Sequence, residues 1–304
     1  MFKFFRKLKN KIINRAPLEE EIQIDESFLE LENKAMQFQM NSIVIHPQFN
    51  SDQKIPIGSS KIGGKPDLPP DFEWFHYQRD SLFTGVVANR PLSFLAQINL
   101  EEVEEFDLDN KLPNTGILYF FYEMESGRWG FDPIDKGCAR VYYYKGNLDQ
   151  LVRTDFPAGL NDEYIFPEIS LSFSTKINIP PYEEQDLCHD YRIYNKIQER
   201  NGLTEEVYSS KLLGYADIIQ NDMTIECELV TNGIYCGDAT DKSEKRKELE
   251  AHKSQWKLLF QLESLYDKKI DLSFGDAGRV YYYIKEDDLL NRNFDDVWFI
   301  LQCT

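Results

Sequence analysis

The chain has 304 residues and a formal net charge of −18, because it contains 52 acidic and 34 basic residues. No apolar run approaches the roughly 20 residues of a membrane span, and an aromatic content of 14% is too high for a disordered acidic chain. The excess of carboxylates also argues against non-specific binding of nucleic acid, which depends on neutralising phosphates. The composition indicates a globular protein of one large domain or two small ones.

Positive charge is concentrated at the N-terminus. Residues 1–16 contain six basic residues and no acidic one, so the other 288 residues carry a net charge of −24. Apolar side chains recur here at helical spacing, which predicts an amphipathic leader. Three interpretations stay open: the leader lies on an anionic membrane surface, it docks a partner or the acidic body, or it is a frayed or ordinary terminal segment. Its candidate contact residues are Phe4, Phe5, Arg6, Lys7, Leu8, Lys11 and Ile12.

The rest of the chain predicts a few helices and a series of strands. Residues 17–40 are acidic and helix-prone, and helices are also predicted over 180–202 and from about 241 to 254. Alternating or aromatic and β-branched segments predict strands at 41–47, 91–100, 116–122, 140–144, 256–262 and 279–283. In the segment 256–262, alternation places Trp256, Leu258, Phe260 and Leu262 on one face of the strand.

The second half of the chain repeats motifs of the first. Each half has a Lys/Gly loop, then a strand with a central glutamine, then the pentapeptide RVYYY. These are Lys61, Gln97 and residues 140–144 in the first half, and Lys211, Gln261 and residues 279–283 in the second. Tandem duplication explains this order, and two such units are expected to share one core. The predicted fold class is α+β, a single compact domain built from two internally duplicated β-rich repeats with connecting helices.

Several segments resemble the YwqG-like family of bacterial proteins. They are SSKIGGKPDLPPDFEW (59–74), PLSFLAQINLEEV (91–103), LPNTGILYFFY (112–122) and GDAGRVYYYIKEDDLLNRNFDDVWFILQC (275–303). The resemblance implies an α+β domain of unknown function with an internal duplication, and it brings no catalytic residues. The predicted organisation is a leader at 1–16 and a YwqG-like domain at 17–304. Within that domain, repeat one spans about 42–150, a connecting helix about 180–202, and repeat two about 205–304.

The motifs predict no catalytic residue, cofactor or metal. The chain lacks G-x-S-x-G, P-loop, H-E-x-x-H and dinucleotide-binding signatures. Its five cysteines, Cys138, Cys188, Cys227, Cys236 and Cys303, show no paired metal-ligand spacing. Free thiols indicate a reducing compartment, so a cytoplasmic location is expected, with peripheral membrane contact through the leader as an open alternative.

Binding candidates come from features with two interpretations each. Glycine amides beside lysines can cradle an anion or form a tight turn. The paired glutamines can recognise a ligand or satisfy the backbone of neighbouring loops. An Arg-Trp turn resembles a binding hot spot or caps the core. The candidate binding residues are Lys61, Gly63, Gly64, Gln97, Arg128, Trp129, Lys211, Gln261 and Asp276.

Two classes of function follow. The first is a non-enzymatic binding protein whose acidic surface meets a basic protein partner, as an immunity-type inhibitor would. It predicts an acidic patch beside exposed aromatics and no deep pocket. The alternative is an enzyme or small-ligand-binding protein with an anion or polar site between the repeats, which predicts a pocket of at least ~300 Å³. The lack of a reaction centre favours the first class. Nucleic acid is not expected as a partner, and the sequence predicts no oligomeric state.

Overall fold

A computed structural model describes residues 22–49, 54–182, 190–203, 209–236, 243–268 and 270–304. The predicted leader, with its seven candidate contact residues, lies outside the described residues. Within the described part of the chain, no helix has the length and apolar character needed to cross a membrane.

The described residues form a β-rich fold with five α-helices. The strands are β1 (Met40–Gln48), β2 (Lys61–Ile62), β3 (Asp67–Leu68), β4 (His76–Asp80), β5 (Val87–Pro91), β6 (Ser93–Asn99), β7 (Ile117–Tyr122), β8 (Ala139–Tyr144), β9 (Val152–Arg153), β10 (Ile169–Asn178), β11 (Lys211–Leu212), β12 (Trp256–Glu263), β13 (Leu265–Asp267), β14 (Ile270–Leu272), β15 (Arg279–Lys285) and β16 (Trp298–Gln302). The helices are α1 (Glu26–Gln37), α2 (Tyr191–Arg200), α3 (Met223–Thr231), α4 (Glu244–Glu250) and α5 (Glu286–Leu290).

The predicted strands are confirmed, and the predicted helices are confirmed in part. Helix α1 begins after Asp25, whose carboxylate accepts the Phe28 amide at 2.9 Å. Only the segment Tyr191–Arg200 of the predicted 180–202 helix is described as helical. Helix α4 begins after Ser243, whose hydroxyl accepts the Arg246 amide at 3.2 Å.

Ten strands form one antiparallel sheet in the order β16-β15-β12-β11-β1-β10-β2-β6-β7-β8. The long strands β1 and β10 pair along nine residues at its centre. On one side β2, β6, β7 and β8 run outward in chain order, and on the other side β11, β12, β15 and β16 do the same. The two-residue strands β2 and β11 therefore connect the central pair to the outer strands on each side.

The two RVYYY pentapeptides occupy different places in this sheet, so the prediction that they are equivalent is wrong. Residues 140–144 lie in the end strand β8, whereas residues 279–283 lie in β15, between β12 and β16. Counted outward from the centre, β15 takes the place of β7, whose Tyr119 pairs with Gln97 as Tyr281 pairs with Gln261. Because aromatic and β-branched residues suit any half-buried strand, the identical pentapeptide sequences did not specify the same place in the strand order.

A β-bulge in β12 changes which face of the strand its apolar side chains occupy. The register with β15 shifts between Leu258 and Phe260, and an extra residue in one strand reverses the alternation beyond it. Trp256 and Leu258 accordingly pack with α3 residues in one apolar cluster, while Phe260 and Leu262 pack in the main core. The prediction that all four share one face is therefore wrong.

The sheet curls until it is nearly closed, and its two sides pack against each other. Phe120 of β7 stacks on Phe260 of β12 with ring centroids 4.1 Å apart, and Tyr122 stacks on Phe299 of β16 at 4.2 Å. The Tyr282 hydroxyl donates to the Phe121 carbonyl at 3.0 Å across the same interface. Burying these large rings removes apolar surface from water, which is the main stabilising term of such a core.

The turn before β8 also contacts β16. The Leu301 amide donates to the Trp129 carbonyl at 2.9 Å, and the Trp298 indole donates to the Gly130 carbonyl at 2.9 Å. Gly130 has φ +88°, and a Cβ there would lie 1.8 Å from the Phe299 carbonyl oxygen. Only glycine permits this close approach.

We expect Gly130→Ala to lower the free energy of unfolding by at least about 3 kcal/mol, because the backbones of the turn and β16 must separate. Gly159→Ala is a matched control, since Gly159 has φ +90° but an added methyl group would meet no atom within 4 Å. It should cost only the ~1–2 kcal/mol of a left-handed backbone. Urea unfolding of both variants measures the difference, and equal losses would contradict the role of the close contact.

Candidate functional site

Lys61 and Gln97 lie next to each other in the first half of the sheet, as register partners of β2 and β6. Both side chains are fully buried. The Gln97 amide nitrogen donates to the Ser59 carbonyl and the Asp67 carboxylate, each at 2.8 Å, and its oxygen accepts the Asp67 amide at 2.9 Å. This one side chain therefore attaches both ends of the loop 59–67 to the sheet.

The Lys61 ammonium lies among two carboxylates. Its Nζ donates to the Lys65 carbonyl at 2.6 Å and to Glu168 at 2.9 Å, and it lies 3.7 Å from Asp67. Arg153 contacts the same two carboxylates, at 2.6 Å and 2.7 Å. Burial lowers the pKa of Lys61, and the neighbouring carboxylates oppose that effect. Two cations and two anions thus balance each other.

Lys211 and Gln261 make corresponding contacts in the second half, as register partners of β11 and β12. The Gln261 amide nitrogen donates to the Ser209 carbonyl at 2.8 Å and to the Asp217 carboxylate at 2.7 Å, and its oxygen accepts the Asp217 amide at 2.8 Å. Lys211 pairs with Asp217 at 2.6 Å. Burial acts to raise the pKa of Asp217, but the Lys211 charge and the hydrogen bonds from Lys211 and Gln261 outweigh it and lower the pKa.

The structure joins each lysine to the glutamine of its own half. Sequence reasoning named both pairs but missed their common partners, Asp67 and Asp217. The available signal was spacing, since each aspartate follows its lysine by six residues, as K-x-x-x-x-x-D. We call the Lys61–Asp67–Gln97 and Lys211–Asp217–Gln261 clusters the two polar braces. Their geometry holds loop backbone to the sheet.

Gly63 and Gly64 form a tight turn in which both amides are used by the protein. They have φ +63° and +66°, and their amides donate to the Leu95 and Phe166 carbonyls, each at 2.8 Å. A Cβ at Gly63 would lie 2.3 Å from the Pro167 carbonyl oxygen. Close packing of backbone therefore requires glycine at this turn.

Arg128 and Trp129 lie in the turn between β7 and β8, and Asp276 lies elsewhere, in an exposed turn before β15. The buried Arg128 guanidinium donates to the Asp80 carboxylate at 2.7 Å and lies 3.5 Å from Asp135. The Asp276 carbonyl accepts the Thr304 hydroxyl at 2.9 Å. Arg128 thereby attaches this turn to the β4–β5 hairpin.

The end of that hairpin is an exposed apolar surface that sequence reasoning missed. We call Leu82, Phe83, Val86 and Val87 the apolar tip; they are 61%, 69%, 58% and 65% exposed. The signal was the segment SLFTGVVAN (81–89), which has no charged residue in a chain that is 28% charged. Exposed apolar side chains concentrated at the end of one hairpin are typical of interaction sites.

Half-exposed carboxylates stand beside the apolar tip. Asp80 and Glu125 pair with Arg128 and Arg90 at 2.7 and 2.9 Å, but the arginine side chains are buried while the two carboxylates are 48% and 44% exposed. Burial raises the pKa of Tyr164, and nearby Glu125, Glu163 and Glu123 raise it further. Beside the tip, the two half-exposed carboxylates therefore outnumber the one exposed cation of β4, Arg79.

The cavities formed by the described residues include three of about 480, 370 and 510 Å³, each above the ~300 Å³ expected for the small-ligand alternative. The first lies between the end of α1, the loop after β11 and the start of β12, and it contains Lys34, Lys253 and Lys257. None of the polar-brace residues lines any of the three.

No group of three His, Cys, Asp or Glu side chains in the described ranges is arranged to hold a metal ion. Cys138, Cys227, Cys236 and Cys303 are free thiols, and Cys188 lies outside the described residues. Burial raises the pKa of the Cys138 and Cys227 thiols well above the usual value, which makes them poor nucleophiles.

Helix α3 packs on one face of the second half of the sheet and contains a carboxyl group with little stabilisation of its charged form. The Glu226 Oε2 atom is buried without a hydrogen-bond partner. Burial, with a smaller contribution from Asp222, raises the pKa of Glu226 to about 8. Between about pH 4.5 and pH 8, Glu226 is therefore mostly protonated in the folded state and mostly ionised in the unfolded chain.

We expect Gln97→Leu to lower the free energy of unfolding by about 3 kcal/mol, because the Asp67 amide, the Asp67 carboxylate and the Ser59 carbonyl all lose a buried partner. The exposed Gln150 supplies the control, and Gln150→Leu should change stability by less than ~0.5 kcal/mol. Urea unfolding of both variants distinguishes them. A loss below ~1 kcal/mol for Gln97→Leu would show that the Gln97 hydrogen bonds contribute little to the stability of the fold.

The stability of the protein should fall as pH rises from about 5 to 8.5, because the unfolded state then binds fewer protons at Glu226 than the folded state does. In Glu226→Gln this contribution disappears, so the variant should be more stable than the native chain at pH 8.5 by on the order of 1–3 kcal/mol. The measurement is urea unfolding at both pH values, with the exposed Glu248→Gln as control. Equal pH profiles for native and Glu226→Gln chains would refute the assignment.

Comparison with known proteins places the chain in a family. A search of curated proteins finds no similar sequence. A protein-family model described as a domain of unknown function matches residues 60–303, a range that includes both polar braces, the apolar tip and most of the lining of the first cavity. Since this match extends over most of the chain, the protein belongs to the DUF1963 family.

Proposed function

We propose that this protein is a non-enzymatic interaction protein that docks a basic protein partner through the apolar tip. The observation that carries the proposal is the tip itself, four neighbouring apolar side chains that are each mostly exposed. Exposed apolar side chains clustered at one place favour burial against a partner, because removing them from water stabilises the complex.

The apolar tip is held in a defined conformation. The Ser81 amide donates to the Val86 carbonyl at 3.1 Å, and the Gly85 amide donates to the Ser81 carbonyl at 2.7 Å. The Leu82 amide donates to the Ser126 carbonyl at 2.8 Å, which attaches the tip to the neighbouring turn. Less conformational entropy is therefore lost when a partner binds, and that favours affinity.

Charge favours a basic partner over a second copy of the chain. The half-exposed carboxylates of Asp80 and Glu125 border the apolar tip, and the whole chain carries a net charge of −18. Two copies meeting at this surface would bring like charges together, whereas lysine or arginine on a partner would pair with them. The same charge disfavours contact of the tip with an anionic membrane.

Two inferences about the origin of the protein accompany this proposal. We infer that the halves around the central β1–β10 pair arose by internal duplication, supported by the outward strand order and by the shared contacts of the polar braces. The motifs quoted from the sequence support kinship with YwqG-like proteins in particular. We also propose, from the sequence alone, that the leader contacts a membrane or a partner and that the protein is cytoplasmic.

The test compares two leucines of nearly equal exposure, Leu82 in the tip at 61% and Leu290 at the end of α5 at 60%. A photo-crosslinking amino acid at position 83 should capture one basic protein from native lysate, and the identified protein should then bind the purified chain. Leu82→Ser should weaken that binding at least tenfold, while Leu290→Ser should not change it, and added salt should weaken it.

Several results would contradict the proposed function. They are adducts formed only with a second copy of the chain, recovery of no protein partner, and equal binding by Leu82→Ser and the native chain. Circular dichroism melting of both serine variants serves as the folding control.

A further inference from the structure

We propose that the cavity containing Lys34, Lys253 and Lys257, here called the lysine cavity, binds a small anionic molecule with a planar apolar body. Its volume is about 480 Å³, within the range of small-molecule sites. None of its lining residues belongs to the apolar tip or its carboxylates, so the inference does not depend on the proposed protein partner.

Aromatic side chains form much of the cavity wall. Trp256 and Tyr283 come from the adjacent strands β12 and β15 and are buried, while Phe38 and Tyr215 stand at more exposed positions. The Trp256 indole donates to the Glu228 carboxylate at 2.7 Å, so its polar edge is satisfied while its ring lines the cavity. Rings of this kind offer flat apolar surfaces on which a planar molecule can stack.

One hydrogen bond fixes the opposite wall. The Tyr215 hydroxyl donates to the Phe38 carbonyl at 2.7 Å, which joins the loop after β11 to the end of α1. Tyr215 follows Gly214, whose φ of +69° lets the chain turn sharply there. This hydrogen bond and the turn at Gly214 hold the two walls in place, which lowers the entropy cost of binding a ligand.

The charge of the lining selects an anion. The described lining contains three lysines and no aspartate or glutamate, in a chain with 52 acidic residues. Lys253 is paired with Asp222 at 2.8 Å. Lys257 donates to the Ser254 carbonyl at 2.8 Å and lies 3.8 Å from Glu286, while Lys34 is exposed near the end of α1. Lys34 and Lys257 are therefore the cations best placed to meet an incoming anion.

The neighbouring cavity of about 510 Å³ is less suited to an anion, because carboxylates lie in its lining. It shares six lining residues with the lysine cavity, namely Phe38, Met40, Gly214, Tyr215, Lys257 and Leu258. Its lining also includes Asp109, Glu286 and Lys111, which do not line the lysine cavity. Lys111 lies 3.5 Å from Glu286. Carboxylates in that lining repel an anion, so the anionic group of a ligand is expected in the lysine cavity.

Two probes with the same rings separate charge from apolar contact. 8-Anilinonaphthalene-1-sulfonate carries one negative charge, and N-phenyl-1-naphthylamine is its neutral counterpart. Fluorescence titration should show saturable one-to-one binding of the sulfonate and at least tenfold weaker binding of the neutral compound. The double variant Lys34→Gln/Lys257→Gln should bind the sulfonate at least tenfold more weakly, with little change for the neutral probe.

Three controls make the result specific to the cavity. Lys145→Gln removes one charge at an exposed position outside all three cavities and should bind the sulfonate as the native chain does. Leu82→Ser should also leave binding unchanged, which excludes probe bound at the apolar tip. Melting curves confirm that the variants fold. Equal affinity for the two probes, an unaffected double variant, or no saturable binding of the sulfonate would each overturn the proposal.

Discussion

The continuity of the sheet depends on two buried glutamine amides. The central pair β1–β10 reaches the outer strands through β2 and β11, each only two residues long. Such short strands contribute few ladder hydrogen bonds, so side chains must hold them in register. Gln97 and Gln261 do this by binding the loop backbone on both sides of Lys61 and Lys211. The lysine charges are in turn tolerated because Asp67 and Asp217 lie beside them.

The polar-brace residues have a structural role and do not form the surfaces available for binding. Their polar groups are hydrogen-bonded inside the protein, and an unpartnered polar group at such depth would be costly. The candidate binding features lie outside them, in the apolar tip of the β4–β5 hairpin and in the lysine cavity between α1, β11 and β12. The two have opposite charge character, with carboxylates beside the tip and lysines in the cavity.

The loops after the two lysines show how a shared brace can support different surfaces. In the first half Gly63 and Gly64 pack against the backbone of Phe166 and Pro167 and the side chain of Glu168. In the second half Leu213 takes a left-handed backbone with φ +58°, and Gly214 is followed by Tyr215 in the cavity wall. The brace contacts are alike, but the residues that follow them differ, so only the second loop contributes to the lysine cavity.

The sequence by itself determined six of the ten strands of the main sheet, the pairing of each lysine with a glutamine, and the charge division between leader and body. These depend on local alternation and composition, which are properties of neighbouring residues. It missed α3, the long strand β10 and the β4–β5 hairpin, and it equated two RVYYY segments that lie in different strands. Only the tertiary structure decided which strands are neighbours, that a bulge turns Trp256 away from Phe260, and that the lysines from α1 and the segment before β12 line one cavity. The physical reason is that strand order, bulges and cavities arise from contacts between residues far apart in the chain, whereas periodicity reports only on neighbours.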